Sequence, residues 1–224
     1  MSAMRCSYIV LLVGVCSKAP NISIVTEYMP RGSMYDILHR GERNSAPLDY
    51  MRKLRMLLDV IKGMLYLESS NYVHRDLKSQ NLLIDRSFRV KVADFGLARF
   101  SQDSHVKTCN GSAGTPAWMA PEVLRDDPFN IKADVYSFGV VLWETIMQAL
   151  PWRGMQNVQI VCAVGLRCDR LSLDATAPDG QPKFDPFMRQ LCLDCFLENP
   201  ANRPSFAEIS ERFTKYMTAK VQKK

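Results

Sequence analysis

The stretch VYSFGVVLWETIM, Val135 to Met147, is apolar on nearly every face of the helix it predicts. A surface helix buries one stripe and leaves the rest wet, so a helix written this way belongs at the centre of a domain, wrapped by other elements. At 224 residues and 47% hydrophobic content, the chain can supply that wrapping as one large domain or two small ones. A second long helix is predicted from Asp49, as its cap, to about Ser69. Its apolar residues Leu54, Leu57, Leu58, Ile61, Met64 and Leu65 follow the 3, 4, 7 spacing of a single buried face.

The first sixteen residues, MSAMRCSYIVLLVGVC, hold an apolar run from Tyr8 to Val15. It is too short to span a bilayer, which takes about 20 apolar residues. A signal peptide with Arg5 as its basic end fits the first sixteen residues taken alone. Alternatively, Ile9 to Val15 and Ile22 to Tyr28 read as two strands joined by the turn Lys18, Ala19, Pro20, Asn21. Ser33 and Asp36 predict a capping box on a short helix that Gly41 ends. Further strands are predicted at Asn81 to Ile84 and over Phe88, Val90 and Val92. The polar stretch Phe100 to Pro116 has no periodicity, and a loop of that length is usually functional.

Lysine and arginine number 29 against 23 acids, a net +6 spread along the chain, too diffuse for a nucleic-acid stripe. Seven cysteines, an odd number in a chain too large to need staples, favour reduced thiols and an intracellular, cytoplasmic setting. Cys192 and Cys195 form a lone C-x-x-C in an apolar run, which reads as two small core residues on one helix face rather than as half a zinc site. No repeat, low-complexity block or linker divides the chain.

The residues that carry chemistry stand in VHRDLKSQNLLI: His74, Arg75, Asp76, Lys78 and Asn81. Asp94, Phe95 and Gly96 follow, and then GTPAWMAPE with Ala120, Pro121 and Glu122. Taken singly, each has an ordinary reading as a loop residue, a turn pair or, for Asp134, a helix N-cap. Taken together, in this order, they resemble the catalytic domain of eukaryotic protein kinases, whose H-R-D-x-x-x-x-N, D-F-G and A-P-E motifs are intact. Within that family, HRDLKSQN, GTPAWMAPE and DVYSFGVVLWE look like the tyrosine-kinase-like group of mainly serine/threonine kinases, the group of Raf and the mixed-lineage kinases.

The resemblance implies a two-lobed α+β fold: residues 1–28 as the end of the small lobe, 29–32 as hinge, 33–215 as the helical large lobe and 216–224 as a basic tail. Asp76 becomes the base that accepts the proton of the incoming hydroxyl, and Lys78 supplies positive charge to the phosphoryl group. Asn81 and Asp94 become ligands of Mg2+, which needs few oxygen ligands from a protein. Thr26 falls in the gatekeeper place and Glu27 to Met29 in the adenine-binding hinge, with Ser33 and Leu83 also on the ATP side. His74, Arg75 and Phe95 are structural members of their motifs. Asp134 is expected to be both cap of its helix and anchor of the catalytic-loop backbone, and Glu122 and Arg203 to form a buried ion pair.

Lys78 and Thr115 are similar to their counterparts in serine/threonine kinases, so protein serine and threonine hydroxyls are the expected acceptors. Ser101, Ser104, Thr108 and Ser112 lie in the long loop, where an upstream kinase could act and Arg75 could grip a phosphate. The resemblance also turns Ile9 to Val15 into a buried strand, which removes the signal-peptide reading. It raises a difficulty as well: the glycine loop, strand lysine and helix glutamate that the family carries before these strands are not in the sequence. The chain as written is therefore expected to catalyse weakly and to expose apolar strand faces. A non-catalytic, partner-binding module is the alternative, against which the retention of Asp76, Asn81 and Asp94 argues.

Overall fold

The computed structural model describes residues 6–40, 48–94, 99–100, 115–176 and 183–222. The all-apolar segment is the middle of α3 (Lys132–Met147), and every residue from Ala133 to Ile146 is buried. Around it lie α1 (Tyr50–Ser69), the short α2 (Pro121–Leu124) and α4 (Asn157–Ile160), α5 (Pro186–Cys195) and α6 (Phe206–Gln222). The strands are few and short: β1 (Leu12–Cys16), β2 (Ser23–Thr26), β3 (Tyr72–Val73), β4 (Leu82–Ile84), β5 (Val90–Val92) and β6 (Arg99–Phe100). They pair antiparallel as β1–β2, β3–β6 and β4–β5, so the fold is α+β.

One core runs through the helices. In α1 the residues Leu54, Leu57, Ile61 and Met64 are buried as their spacing predicts, together with Met56, Val60 and Leu67. The helix packs α6 along one side, where Phe206, Ile209 and Phe213 are buried, and β5 along the other. Glu68 at the end of α1 accepts the backbone N–H groups of Phe206 and Ala207, both at 3.1 Å, so one helix satisfies the orphan donors of the next. Cys192 and Cys195 are fully buried on the α5 face that meets Gly139 of α3, as core residues. Burial pushes the Cys195 thiol up to about 12 and raises Cys192 as well.

Three expectations need correction. The run Ile9 to Val15 is not a buried strand: only Ile9 and Val10 are buried, β1 begins at Leu12, and Val13 and Val15 are more than 60% exposed. Ile9 and Val10 are buried because Val10 N–H donates to Val92 O and Val92 N–H to Tyr8 O, both at 2.9 Å, which lays this segment on β5. Beyond them the hairpin stands off the core. Asp134 does not cap its helix, since α3 begins two residues earlier at Lys132 and its N-cap is Ile131. Asp49 precedes α1 as expected but caps it through its carbonyl, which accepts from Arg52 and Lys53, and its side chain makes no capping bond.

The Ser33–Asp36 capping box forms. Ser33 N–H and Oγ–H donate to Asp36 Oδ2 at 3.0 and 2.6 Å, and Asp36 N–H donates back to Ser33 Oγ at 3.1 Å. The turns it starts continue in π geometry over Asp36–Arg40, while Gly41 lies outside the described residues.

Candidate active site

The segment between β3 and β4 has little regular structure of its own, so its shape is imposed from outside. Asp134, buried in the first turn of α3, accepts the backbone N–H of His74 at 2.7 Å and of Arg75 at 2.9 Å. Arg75 is held at φ +73°, a left-handed conformation that these bonds help maintain. Burial pushes the Asp134 carboxyl above the ordinary aspartate range, against the opposing pull of His74 and the two amide bonds. His74 is buried too. Its Nδ1 accepts from Asp76 N–H at 3.3 Å while Nε2 lies 2.9 Å from Ala93 O, an arrangement that puts the ring proton on Nε2. One imidazole thereby ties the Asp76 segment to the segment that carries Asp94.

Four of the predicted residues converge on one another. Asn81 donates its amide hydrogens to Asp76 O at 2.8 Å and Asp76 Oδ2 at 3.0 Å. Lys78 Nζ lies 2.7 Å from the same Oδ2 and donates to Thr115 Oγ1 at 3.0 Å. The result is a continuous chain Asn81–Asp76–Lys78–Thr115, linking two stretches more than thirty residues apart. Asp94 joins it by backbone: Ala93 N–H donates to Asn81 O at 2.8 Å, and Asp94 follows at φ +62° with its side chain exposed.

With its nitrogen spent on Asp76, the Asn81 amide has its oxygen left to offer, and Asp94 adds a carboxylate. A pair of oxygen donors is the set that Mg2+ accepts when phosphates and water complete its shell. Among the described residues no group of three or more His, Cys, Asp or Glu forms a metal cage, so a cation held here would depend on that outside share.

A small apolar patch, separate from the main core, lies beside these residues. Val10, Met29 and Ala93 are buried in it and Leu83 packs against them. Met29 is held by a turn, Gly32 N–H to Met29 O at 3.3 Å, and by the docking of Arg31 N–H and Gly32 O on Ile84. Ser33 bridges to Leu83. The Glu27 carboxylate accepts from Lys91 Nζ at 2.7 and 2.8 Å and from Leu11 N–H at 2.8 Å. Burial raises its pKa, but these partners outweigh that and hold it below the ordinary glutamate value. Thr26 is exposed at the end of β2, opposite Leu12.

Arg203 and Glu122 form the expected buried pair, bidentate at 2.6 and 2.8 Å. Phe95, Ser101, Ser104, Thr108 and Ser112 lie outside the described residues. Sequence reasoning missed Val10, Ala93, Lys91 and Glu144. Lys91 sits at the outward position of an alternating strand, where a lysine reads as a solvated surface residue. Glu144 carried a signal: it is an acid inside the all-apolar helix, and it is fully buried there, accepting from Ser79, Trp118 and His39.

A family model described as protein tyrosine and serine/threonine kinase matches residues 1–213. The chain is 46% identical over 214 residues to the serine/threonine-protein kinase CTR1 of Arabidopsis thaliana, covering 94% of this chain and 25% of that protein. It is 45% identical over 215 residues to the probable serine/threonine-protein kinase drkC of Dictyostelium discoideum, covering 95% of this chain and 27% of that protein. The Arabidopsis serine/threonine/tyrosine-protein kinase HT1 is 40% identical over 208 residues, 93% of this chain and 50% of that protein. The chain thus spans about a quarter to a half of the length of these relatives. On the match of the family model over almost its whole length, and on motifs whose residues meet in space, the chain belongs to the protein tyrosine and serine/threonine kinase family.

Proposed function

We propose that the chain provides the hinge (29–32) and large lobe (33–215) of a protein kinase, with residues 1–28 belonging to the small lobe, and that it transfers the γ-phosphoryl group of ATP to serine or threonine hydroxyls of proteins. The observation that carries this reading is the Asp76 carboxylate, whose Oδ2 takes both the Asn81 amide and the Lys78 ammonium. In the transfer, the acceptor hydroxyl passes its proton to Asp76, its oxygen bonds to the γ-phosphorus, and the bond to the ADP oxygen breaks. Lys78 offsets charge on the moving group while its bond to Thr115 sets the acceptor side. The patch of Val10, Met29, Ala93 and Leu83 takes the adenine ring, with backbone groups of Glu27 to Met29 at its edge and Thr26 and Ser33 flanking it.

Asn81 and Asp94 would hold Mg2+, which, when bound, neutralises phosphate charge. Ser101, Ser104, Thr108 and Ser112 are the candidate positions for an upstream kinase. Among the described residues Cys6, Cys16, Cys162, Cys168, Cys192 and Cys195 are free thiols, in keeping with a reducing compartment such as the cytoplasm, and no helix is long and apolar enough to cross a membrane.

The acceptor class is tested by offering otherwise identical serine, threonine and tyrosine peptides with labelled ATP to the chain and to a version extended by the glycine loop, strand lysine and helix glutamate of the family. Serine and threonine peptides are expected to be labelled, with tyrosine at under about one-tenth of their rate. Preference for tyrosine, or labelling of none by either version, contradicts the proposal.

A further inference from the structure

Glu144 is the one acid of α3 beyond its first turn, and it lies at zero exposure. Its Oε1 accepts from Ser79 Oγ at 2.7 Å and lies 2.8 Å from His39 Nε2, and its Oε2 accepts from the indole N–H of Trp118 at 2.9 Å. The three partners belong to three different segments. His39 is on the short helix that follows the hinge, Ser79 is the residue after Lys78, and Trp118 is three residues after Thr115. Ser79 and Trp118 are themselves buried and His39 nearly so.

A buried carboxylate is costly unless its lone pairs are taken, and here three donors take them. The converse constraint is what matters for chemistry. Each donor is tied to the same buried carboxylate, so Ser79 fixes where the backbone of Lys78 runs and Trp118 fixes where that of Thr115 runs. Between these two anchored stretches spans the 3.0 Å bond from Lys78 Nζ to Thr115 Oγ1. Lysine is a flexible stem with a point charge, and it holds a threonine hydroxyl at one distance only if both backbones are held.

We infer that Glu144 is a positioning residue that sets the acceptor side of the site, by locking the Lys78 and Thr115 segments to each other and to the helix after the hinge. This rests on the kinase reading for its kinetic consequence but not for the coupling itself. Glu144→Gln is the informative change, because it keeps size and replaces one acceptor by a donor. The indole of Trp118 can only donate, so the amide oxygen must serve it, and the amide nitrogen then faces Ser79 and His39, which keep their contacts only by turning from donors into acceptors, the hydroxyl by rotating its proton away and the imidazole by carrying its proton on Nδ1.

Two measurements test it. On the chain as it stands, the indole N–H resonance of Trp118, assigned with Trp118→Phe among the three tryptophans, is followed by proton–nitrogen NMR. Ser79→Ala and His39→Ala are each expected to shift it through the shared carboxylate, Glu144→Gln to shift it most, and the Trp152 resonance to stay put. An unmoved Trp118 signal in all three overturns the inference whatever the chain's activity. On the N-terminally extended, active chain, Glu144→Gln is expected to raise the KM for the acceptor peptide about three- to tenfold with the KM for ATP within about twofold. Simple loss of folded enzyme would lower kcat and leave both KM values alone. Ser79→Ala is expected to act in the same direction and not to add to Glu144→Gln. Equal acceptor KM in variant and parent overturns the inference, whereas an extended parent that transfers no phosphate overturns the kinase reading and leaves the NMR result to decide the coupling.

Discussion

Arg203 and Glu122 have almost no exposure, and their two parallel hydrogen bonds join the start of α2 to the turn before α6. Arg203 also donates to the carbonyls of Leu197 and Lys132, so nearly all of its fork is occupied. A pair of this kind adds little over an apolar replacement, but removing one member strands the other's charge in the interior. Glu122→Ala is expected to lower the free energy of unfolding by about 3–5 kcal/mol, read from urea denaturation midpoints at constant slope. A loss under about 1 kcal/mol would mean that water reaches Arg203. At this scale the sequence was most legible where function demands fixed spacing within one loop: Asp76, Lys78 and Asn81 could be read together because five positions bring them onto one turn. Asp134 was legible as an anchor and misread as a cap, since an aspartate near the start of an apolar run looks the same whether its carboxylate turns to its own helix or, as here, to the N–H groups of His74 and Arg75.

The elements meet at two places where a single atom decides the fit. Gly63 of α1 lies against β5 and the segment laid on it: a Cβ there would stand 2.7 Å from Val92 Cγ2 and 2.8 Å from Tyr8 O. In an open helix, alanine for glycine is stabilising by about 0.5–1 kcal/mol. Gly63→Ala is instead expected to destabilise by about 1–3 kcal/mol and to expose the amides of Val10 and Val92 to hydrogen exchange, because backbone cannot step aside as a side-chain tip can.

The second meeting place is Asp185 at the head of α5. It caps its helix through Met188 N–H at 3.0 Å, accepts the Tyr50 hydroxyl of α1 at 2.9 Å, and takes bonds from Tyr216 and Lys220 of α6. Burial raises this carboxyl, yet the Tyr216 hydroxyl, the Met188 N–H and the remaining partners outweigh burial and hold it below the ordinary aspartate value of 3.8. A carboxyl depressed in the folded state contributes stability that is complete above 3.8 and is lost as the pH falls through its lower folded value. Asp185→Asn should therefore flatten the acid limb of melting temperature against pH below about pH 4 while lowering the plateau at neutral pH. An acid limb identical to the parent's would exclude Asp185 from the clamp. The two long helices given bounds were legible, α1 from its apolar period to within a residue and α3 from its all-apolar run to within three residues at its start, but the strands were not. Pairs two to five residues long leave too few alternations to fix an end, and the burial of Ile9 and Val10 depends on Val92, which no local pattern announces.

The molecule as a whole is a helical body around α3, with Asp76, Lys78, Asn81 and Asp94 on the segments that flank β4 and β5 and the β1–β2 hairpin standing out from it. Leu11, Val13, Val15, Ile22, Ile24 and Val25 are all exposed on that hairpin, in accord with the expectation of uncovered strand faces and contrary to that of a buried strand. Asp76, Lys78 and Asn81 could be grouped from the sequence because they lie within one loop, whereas Thr115 joins Lys78 from 37 residues away. Glu144, bonded to Ser79 and Trp118, and Lys91, bonded to Glu27, could not be read in this way, because each works through partners more than twenty-five residues away. The central claim is that the Asp76 carboxylate, steered by Asn81 and Lys78, takes the acceptor's proton as phosphate moves. Its most direct test is the single-turnover rate of phosphate transfer in the N-terminally extended chain carrying Asp76→Asn, measured beside its parent with the affinity for magnesium ATP determined for both. The account predicts a fall of about 100- to 10,000-fold in rate with nucleotide affinity within about threefold. A variant that transfers phosphate as fast as its parent would contradict it.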